Sequence, residues 1–419
     1  MDDKNISLLI SLMRAGITGQ PIGEGIKENF TEDALNEVMK IAARHDIGYI
    51  VGTGITASGL CEKGSETYEK IKKLQMSAYF RYERMKYDMQ EIAAAFSGAK
   101  IPFIPLKGAV IRKYYPDPLM RTSCDIDVLV KEEHLSAAAE ALQNKGWRKD
   151  DKINYHDISL FSPSNTHLEL HFNLREYIPE IDAVLDRVWE HIEPYPEEGG
   201  TAEKSDTAEE SADNAAGTYR YRQTDEFLMF HLLAHMSYHF VSGGCGLRSF
   251  ADIFILREKL AFDEEKLNAL LCEGHIKDFY GQVLALIDVW FYGKPHTDLT
   301  RRMEKYVIDG GVYGTLTNRV SMEQAKHGGK GKNLKQRIFM PYDKLKERYP
   351  VLVKHKWLTP LYEVVRWFSL LKRDTFKRSV NELKVNNAVS ARAEDMTEFL
   401  KDVGLKHMIK AEKSSEQNN

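Results

Sequence analysis

The sequence predicts an α+β protein, a short strand-bearing core set between two helical regions. Three observations carry this. Residues 1–98 show helical apolar spacing without strand alternation. Residues 101–174 alternate polar and apolar positions in short runs separated by a helix. From Asp225 onward helical spacing resumes almost to the end. A chain of 419 residues is too long for one ordinary core, so two or three domains are expected.

Taken in order, Thr31 followed by Glu32 and Asp33, with apolar residues at Leu35, Val38, Met39, Ile41 and Ala42, reads as a capped amphipathic helix. A long helical pattern runs from about Glu66 to Phe96, so 1–98 is an N-terminal helical region. IPFIPL (101–106) suits an edge strand. KGAVIRKYY (107–115) has helical spacing and PDP (116–118) breaks it. DIDVLV (125–130) reads as a strand, and EEHLSAAAEALQNKG (132–146) as a helix closed by Gly146. INYHDISLF (153–161) and THLELHFNL (166–174) read as a hairpin turned by Ser162, Pro163, Ser164 and Asn165. The core domain is therefore assigned to 99–196. Residues 197–217 are acidic, small and nearly without large apolar groups, which predicts a disordered insert. A helical C-terminal domain follows over 218–411, then a flexible tail over 412–419.

The formal net charge of -4 disfavours a long nucleic acid as partner, while leaving room for a local basic pocket. Cys61, Cys124, Cys245 and Cys272 form no C-x-x-C pair, so neither a zinc ribbon nor a disulfide framework is indicated. The first residues lack the basic start and long apolar run of a signal peptide, and no run is long enough to span a membrane. The expectation is a cytoplasmic protein without a membrane partner.

The chemistry centres on Asp125 and Asp127. Side chains at i and i+2 of a strand leave the same face, so two carboxylates stand side by side and repel unless a cation sits between them. Glu169 and His171 form a second such pair, and pairing of the two strands would complete a three-carboxylate cluster suited to Mg²⁺. The plain alternative is a solvated edge strand, with His171 a satisfied core histidine. Upstream, Lys107-Gly108 marks a strand-to-helix junction where glycine admits a phosphate close to the backbone. Lys107 and Arg121 could supply positive charge to a triphosphate, although each alone is more often a surface cation.

LKGAVIRKYYPDPLMRTSCDIDVLV resembles the core motif of the polymerase-β-like nucleotidyltransferase superfamily. More closely it resembles the bacterial family of uncharacterised nucleotidyltransferases. THLELHFNL is similar to that family's third-carboxylate strand, HLLAHMSYHF with GGCGLRSFADI to its helical second domain, and IFMPYDKLKERYPVLVKHKWLTPLYEVVRW to its C-terminal segment. The resemblance implies a small mixed sheet with helices. It also implies two Mg²⁺ ions held by Asp125 and Asp127, with Glu169 on one of them, and in-line attack on the α-phosphorus of an NTP. This chain departs from the superfamily in having Gly108-Ala109 where Gly-Ser or Gly-Gly is usual, and a longer gap to Asp125. Both departures shift phosphate binding onto Lys107 and Arg121.

His231, His235 and His239 share one helix face. HLLAH lacks the glutamate of a zincin motif, so a cleft-lining face is preferred to a metal site. Arg248 and Asp252 stand at helical spacing and could pair with each other. The resemblance implies that this block faces the active site, with Arg248 on substrate or phosphate. WLTPLYEVVRW (357–367) reads as core packing. The expected function is metal-dependent transfer of an NMP from an NTP, ATP foremost, to a hydroxyl of a small molecule or protein. The alternatives are a non-catalytic nucleotide- or partner-binding module that keeps the fold, and a metal-dependent hydrolase using the same acids.

Overall fold

The computed structural model describes all residues but 1–2, 29, 154–155, 196–218, 312–313, 328–338, 341, 343–344, 347–348, 350, 371–389 and 409–419. The insert expected at 197–217 and the tail at 412–419 lie outside the described residues. The chain divides into two units. One comprises Met1–Met236 and Leu247–His296, the other Ser237–Gly246 and Thr297–Asn419. The division falls inside the segment 218–411 that the sequence suggests as one helical domain.

The first unit opens with helices α1 (Asp3–Thr18), α2 (Glu24–Lys27), α3 (Glu32–Arg44), α4 (Gly48–Ala57) and α5 (Glu66–Gly98). The Thr31 side chain caps α3 by accepting from Ala34 N–H, as the sequence predicts. Helices α1 and α4 cross so closely that a Cβ on Gly54 would lie 2.0 Å from the Leu12 carbonyl oxygen, and only glycine fits there. Helix α5 buries Ile71, Ala78, Met85 and Ile92 at seven-residue intervals; Ile71 packs against Gly52 of α4, and Met85 and Ile92 join the core of the sheet.

The sheet has the order β1-β2-β5-β4-β3, from β1 (Phe103–Pro105), β2 (Asp125–Val130), β3 (Arg148–Ile153), β4 (Asp157–Phe161) and β5 (His167–His171). It is mixed: β2 and β5 are parallel and the other pairs antiparallel. One face is apolar. Ile126, Val128, Ile158, Leu160, Leu168 and Leu170 pack with Phe96 of α5 and with Leu142 of helix α7 (Leu135–Gln143). The β4–β5 turn is tied to α5, because Ser162 and Ser164 both donate to the buried Asp88 carboxylate. Between β1 and β2 the expected helix is short. It is α6 (Gly108–Ile111), followed by a 3-10 turn over Arg112–Tyr114. Strand β3 went unread in the sequence because RKDDKI has no apolar alternation. Helix α8 (Pro179–Leu185) leads to a two-stranded ribbon, β6 (Ile192–Pro194) with β7 (Tyr221–Gln223). Next come helices α9 (Asp225–Val241), α10 (Leu247–Lys259), α11 (Glu264–Glu273) and α12 (Lys277–Tyr292). No described helix is long and apolar enough to cross a membrane.

In the second unit, Phe240, Tyr306 and Phe399 form an aromatic cluster, and Tyr306 donates its hydroxyl hydrogen to the Phe240 carbonyl. The stretch 357–367 corrects the expectation of core packing. Trp357 is 76% exposed, and what the helix Thr359–Leu370 buries instead is the ion pair Glu363–Arg366. Apolar spacing marks which residues share a face, and not which face turns inward.

Candidate metal centre

The parallel register of β2 and β5 builds the site. It aligns Asp125 with His167, Asp127 with Glu169 and Leu129 with His171, so all six side chains leave one face of the sheet, opposite the apolar core. Asp127, Glu169 and His171 bring ligand atoms within 4.8 Å of one another, and Asp125, His167 and Glu169 do the same around a shared Glu169. A third such group, His156, Asp157 and His171, flanks them through β4. The sequence pattern singled out the two i, i+2 pairs. His156 and Asp157 escaped notice because only the strand pairing brings them to the cluster.

Lys107 sits at the junction of β1 and α6 with φ 43°, a left-handed conformation that costs a non-glycine residue roughly 1–3 kcal/mol. Its ammonium offsets that by bonding Asp127 Oδ1 at 3.0 Å. The His171 ring donates through Nε2 to the same oxygen at 3.1 Å and lies 3.6 Å from Glu169 Oε2. His171 stacks on His156 with centroids 5.4 Å apart, and its buried Nδ1 has no hydrogen-bond partner.

These contacts split the acids electrostatically. Burial opposes ionisation of Asp127, but Lys107 and His171 overcome it and hold the carboxyl far below the usual range. Burial also penalises charge on Lys107, yet Asp127 and Glu169 keep the ammonium protonated well above its normal range. His171 is likewise raised despite burial, through its bonds to Asp127 and Glu169. Asp125 goes the other way. Burial first, then the charges of Asp127 and Glu169, raise it against the weaker pull of Lys107 and Arg248. A crowded, half-desolvated carboxylate of this kind is relieved by a cation. Each group mixes imidazole nitrogen with carboxylate oxygens, and the oxygens of Asp125, Asp127 and Glu169 are the donors that suit a hard ion such as Mg²⁺.

Arg248, on α10, pairs with Asp46 and donates to the Thr122 carbonyl at 3.4 Å, and its charge is felt at Asp125. Arg121, expected at a phosphate, lies buried in an ion pair with Asp252. Its buried guanidinium donates Nε–H to both oxygens of Asp252, at 2.7 and 3.0 Å, and Nη1–H to the Thr122 carbonyl. Arg248 and Asp252 therefore do not pair with each other. Arg121 instead anchors the loop leading into β2. Gly108 is needed for packing as well as for any ligand, since a Cβ there would meet Ser123 at 3.2 Å. The Ser123 hydroxyl beside it accepts from Arg112 Nη2 at 2.8 Å.

His231 is buried, whereas the His235 side chain is 33% exposed. His231 Nδ1 faces the Gln223 amide at 3.2 Å, and His235 Nδ1 donates to Glu176 Oε1 at 2.7 Å. Burial and then the Lys107 charge lower both histidines, His231 to about 3. Among the described residues, none of the groups able to hold a metal includes His231, His235 or His239. The family model described as "Uncharacterised nucleotidyltransferase" matches residues 31–292, a span that contains this whole cluster. No curated protein and no solved structure matches the chain.

Proposed function

The chain belongs to the uncharacterised nucleotidyltransferase family, and from that premise we propose that it transfers an NMP from an NTP, ATP foremost, to a hydroxyl of a small molecule or a protein. One observation carries this reading: Asp125, Asp127 and Glu169 converge on one sheet face beside Lys107. The crowding of Asp125 by burial, Asp127 and Glu169 is relieved by a bound cation, which a pure binding module does not need.

In this reading Asp125, Asp127 and Glu169 hold two Mg²⁺ ions, which when bound would supply Lewis acidity to the acceptor hydroxyl and to the triphosphate with its leaving pyrophosphate. His171 orients Asp127 and Glu169 through Nε2. Lys107 and Arg248 bring positive charge to the phosphates, and Gly108 keeps the backbone open beside them. Arg121 serves by fixing the loop before β2 rather than by touching phosphate. A cytoplasmic setting with ATP and Mg²⁺ at hand fits the same reading.

The test is incubation with each α-labelled NTP, with and without Mg²⁺, in the presence of cell extract. The expected result is metal-dependent label on an acceptor with pyrophosphate released. Free labelled NMP without a labelled acceptor would instead indicate a hydrolase. Nucleotide binding without turnover would indicate the binding module.

A further inference from the structure

The start of β4 sets a second kind of donor beside the carboxylate cluster. In the β4–β5 register Asp157 stands directly opposite His171, so the two side chains leave the same sheet face. His156 lies in the bend just before the strand, where the Phe172 N–H donates to its carbonyl at 2.9 Å. That bend brings its ring against the His171 ring, and the two stack with centroids 5.4 Å apart and planes inclined by 10°. His156 Nε2 lies 2.9 Å from Asp157 Oδ2. His156, Asp157 and His171 bring ligand atoms within 4.8 Å of one another.

Two buried atoms of this group have nothing to bond. His156 Nδ1 and His171 Nδ1 are both without a hydrogen-bond partner. His171 is only 4% exposed, so bulk water does not serve its ring. A buried polar atom left in that state costs free energy until something bonds it. An apolar residue would pack there without the cost, so stacking alone does not account for the pair. His171 Nε2 is committed to Asp127 Oδ1 at 3.1 Å, with Glu169 Oε2 at 3.6 Å. Its ligand atom is therefore Nδ1, and a carboxylate on the far nitrogen is how metal-bound imidazoles are oriented.

The donors define the ion. Two imidazole nitrogens and a carboxylate oxygen suit Zn²⁺ and related transition ions, whereas Mg²⁺ takes oxygens. Ligands held at about 2.0–2.2 Å from one Zn²⁺ stand no more than about 4.4 Å apart, so small side-chain shifts close this group on an ion. The His156 side chain is 36% exposed, which gives the ion a way in. We propose that His156, Asp157 and His171 bind a transition-metal dication, Zn²⁺ foremost, at a site distinct in its donors from the three acids proposed to hold Mg²⁺. Three protein ligands leave a fourth position for water. The ion ties the start of β4 to the end of β5 and holds His171 with its Nε2–H on Asp127. The site stands without the nucleotidyltransferase reading, and only its influence on transfer, through Asp127, rests on that reading.

Competition titration of the full chain against a chromogenic zinc chelator, with Mg²⁺ in excess, reads Zn²⁺ affinity without any assay of activity. Zn²⁺ should bind and survive the Mg²⁺. His156→Gln should weaken it by about tenfold or more, at least the loss that disturbing an outer partner of a metal ligand causes. Glu169→Gln removes an acid common to both neighbouring groups and should keep most of the affinity. Thermal melts check that each variant folds, and Zn²⁺ should raise the Tm of the parent more than that of His156→Gln. Co²⁺ in the parent should give the strong visible absorption of a four-coordinate ion with nitrogen ligands, a readout that needs no variant. The proposal is overturned if no Zn²⁺ survives the Mg²⁺, or if Co²⁺ shows only the weak spectrum of a six-coordinate ion. It is equally overturned if folded His156→Gln binds Zn²⁺ as the parent does, or if Glu169→Gln weakens binding as much as His156→Gln.

Discussion

Replacing Asp127 by asparagine removes a charge that two neighbours, Lys107 and His171, pair with directly. By sequence alone, Asp127→Asn promises relief of repulsion with Asp125 and even a gain in stability without metal. The structure reverses that sign, because Asp127 is buried against the Lys107 ammonium and the His171 imidazole. An amide oxygen still accepts from both but no longer offsets their charge. The metal-free variant should therefore lose about 1–3 kcal/mol, the usual cost of stranding a buried polar partner. A thermal melt in chelator reads this, and a variant as stable as the parent would refute the ion pair as a structural element. Nucleotide transfer should fall by orders of magnitude in the label assay. The two aspartates were legible because their shared face follows from local strand geometry. The Lys107–Asp127 bond was not, since it joins different elements through a left-handed lysine backbone that no sequence pattern announces.

Elements hold the site through buried charge. Arg121, from the loop before β2, and Asp252, from α10, form a pair in which both side chains are almost fully buried, and Tyr115 adds its hydroxyl to the same carboxylate. Asp252→Ala leaves a buried guanidinium uncompensated and should cost about 3–5 kcal/mol in denaturant unfolding. The double variant Arg121→Met, Asp252→Leu should recover much of that loss, because an apolar pair pays no desolvation. Helix α9 carries the pH response. His231 is buried near Lys107, His235, Glu176 and His171, and its folded pKa lies near 3 against an unfolded value of roughly 6.5. Between these values the unfolded chain binds the proton that the folded chain refuses, so stability falls as pH drops through that window. His231→Asn should flatten the melting temperature profile between about pH 6 and pH 4. A profile as steep as the parent's would assign the acid sensitivity to other groups. At this scale the β4–β5 hairpin was readable from alternation and turn residues. Strand β3 was not, because a charged edge strand is specified by its partner rather than by its own pattern.

For the whole molecule, the acidic run 197–217 has the composition of a solvated insert. Strands β6 and β7 pair with Pro194 opposite Tyr221, and Tyr195 N–H donates to the Arg220 carbonyl, so the chain enters and leaves this segment at adjacent points. A short Gly-Ser bridge in its place should leave melting temperature and transfer activity nearly unchanged, and a large fall in either would show that the segment contributes to the fold or the site. The mixed sheet has a further consequence, one of timing. The β4–β5 hairpin closes over a tight turn, whereas Asp127 meets Glu169 only when β2 docks parallel to β5 across an intervening helix and two strands. Contacts of that kind pay loop-closure entropy before they return anything and form slowly. In stopped-flow refolding, the capacity to bind a divalent ion should therefore reappear with the slowest structural phase, after most helical signal has returned, so that a newly made chain is compact before it is competent.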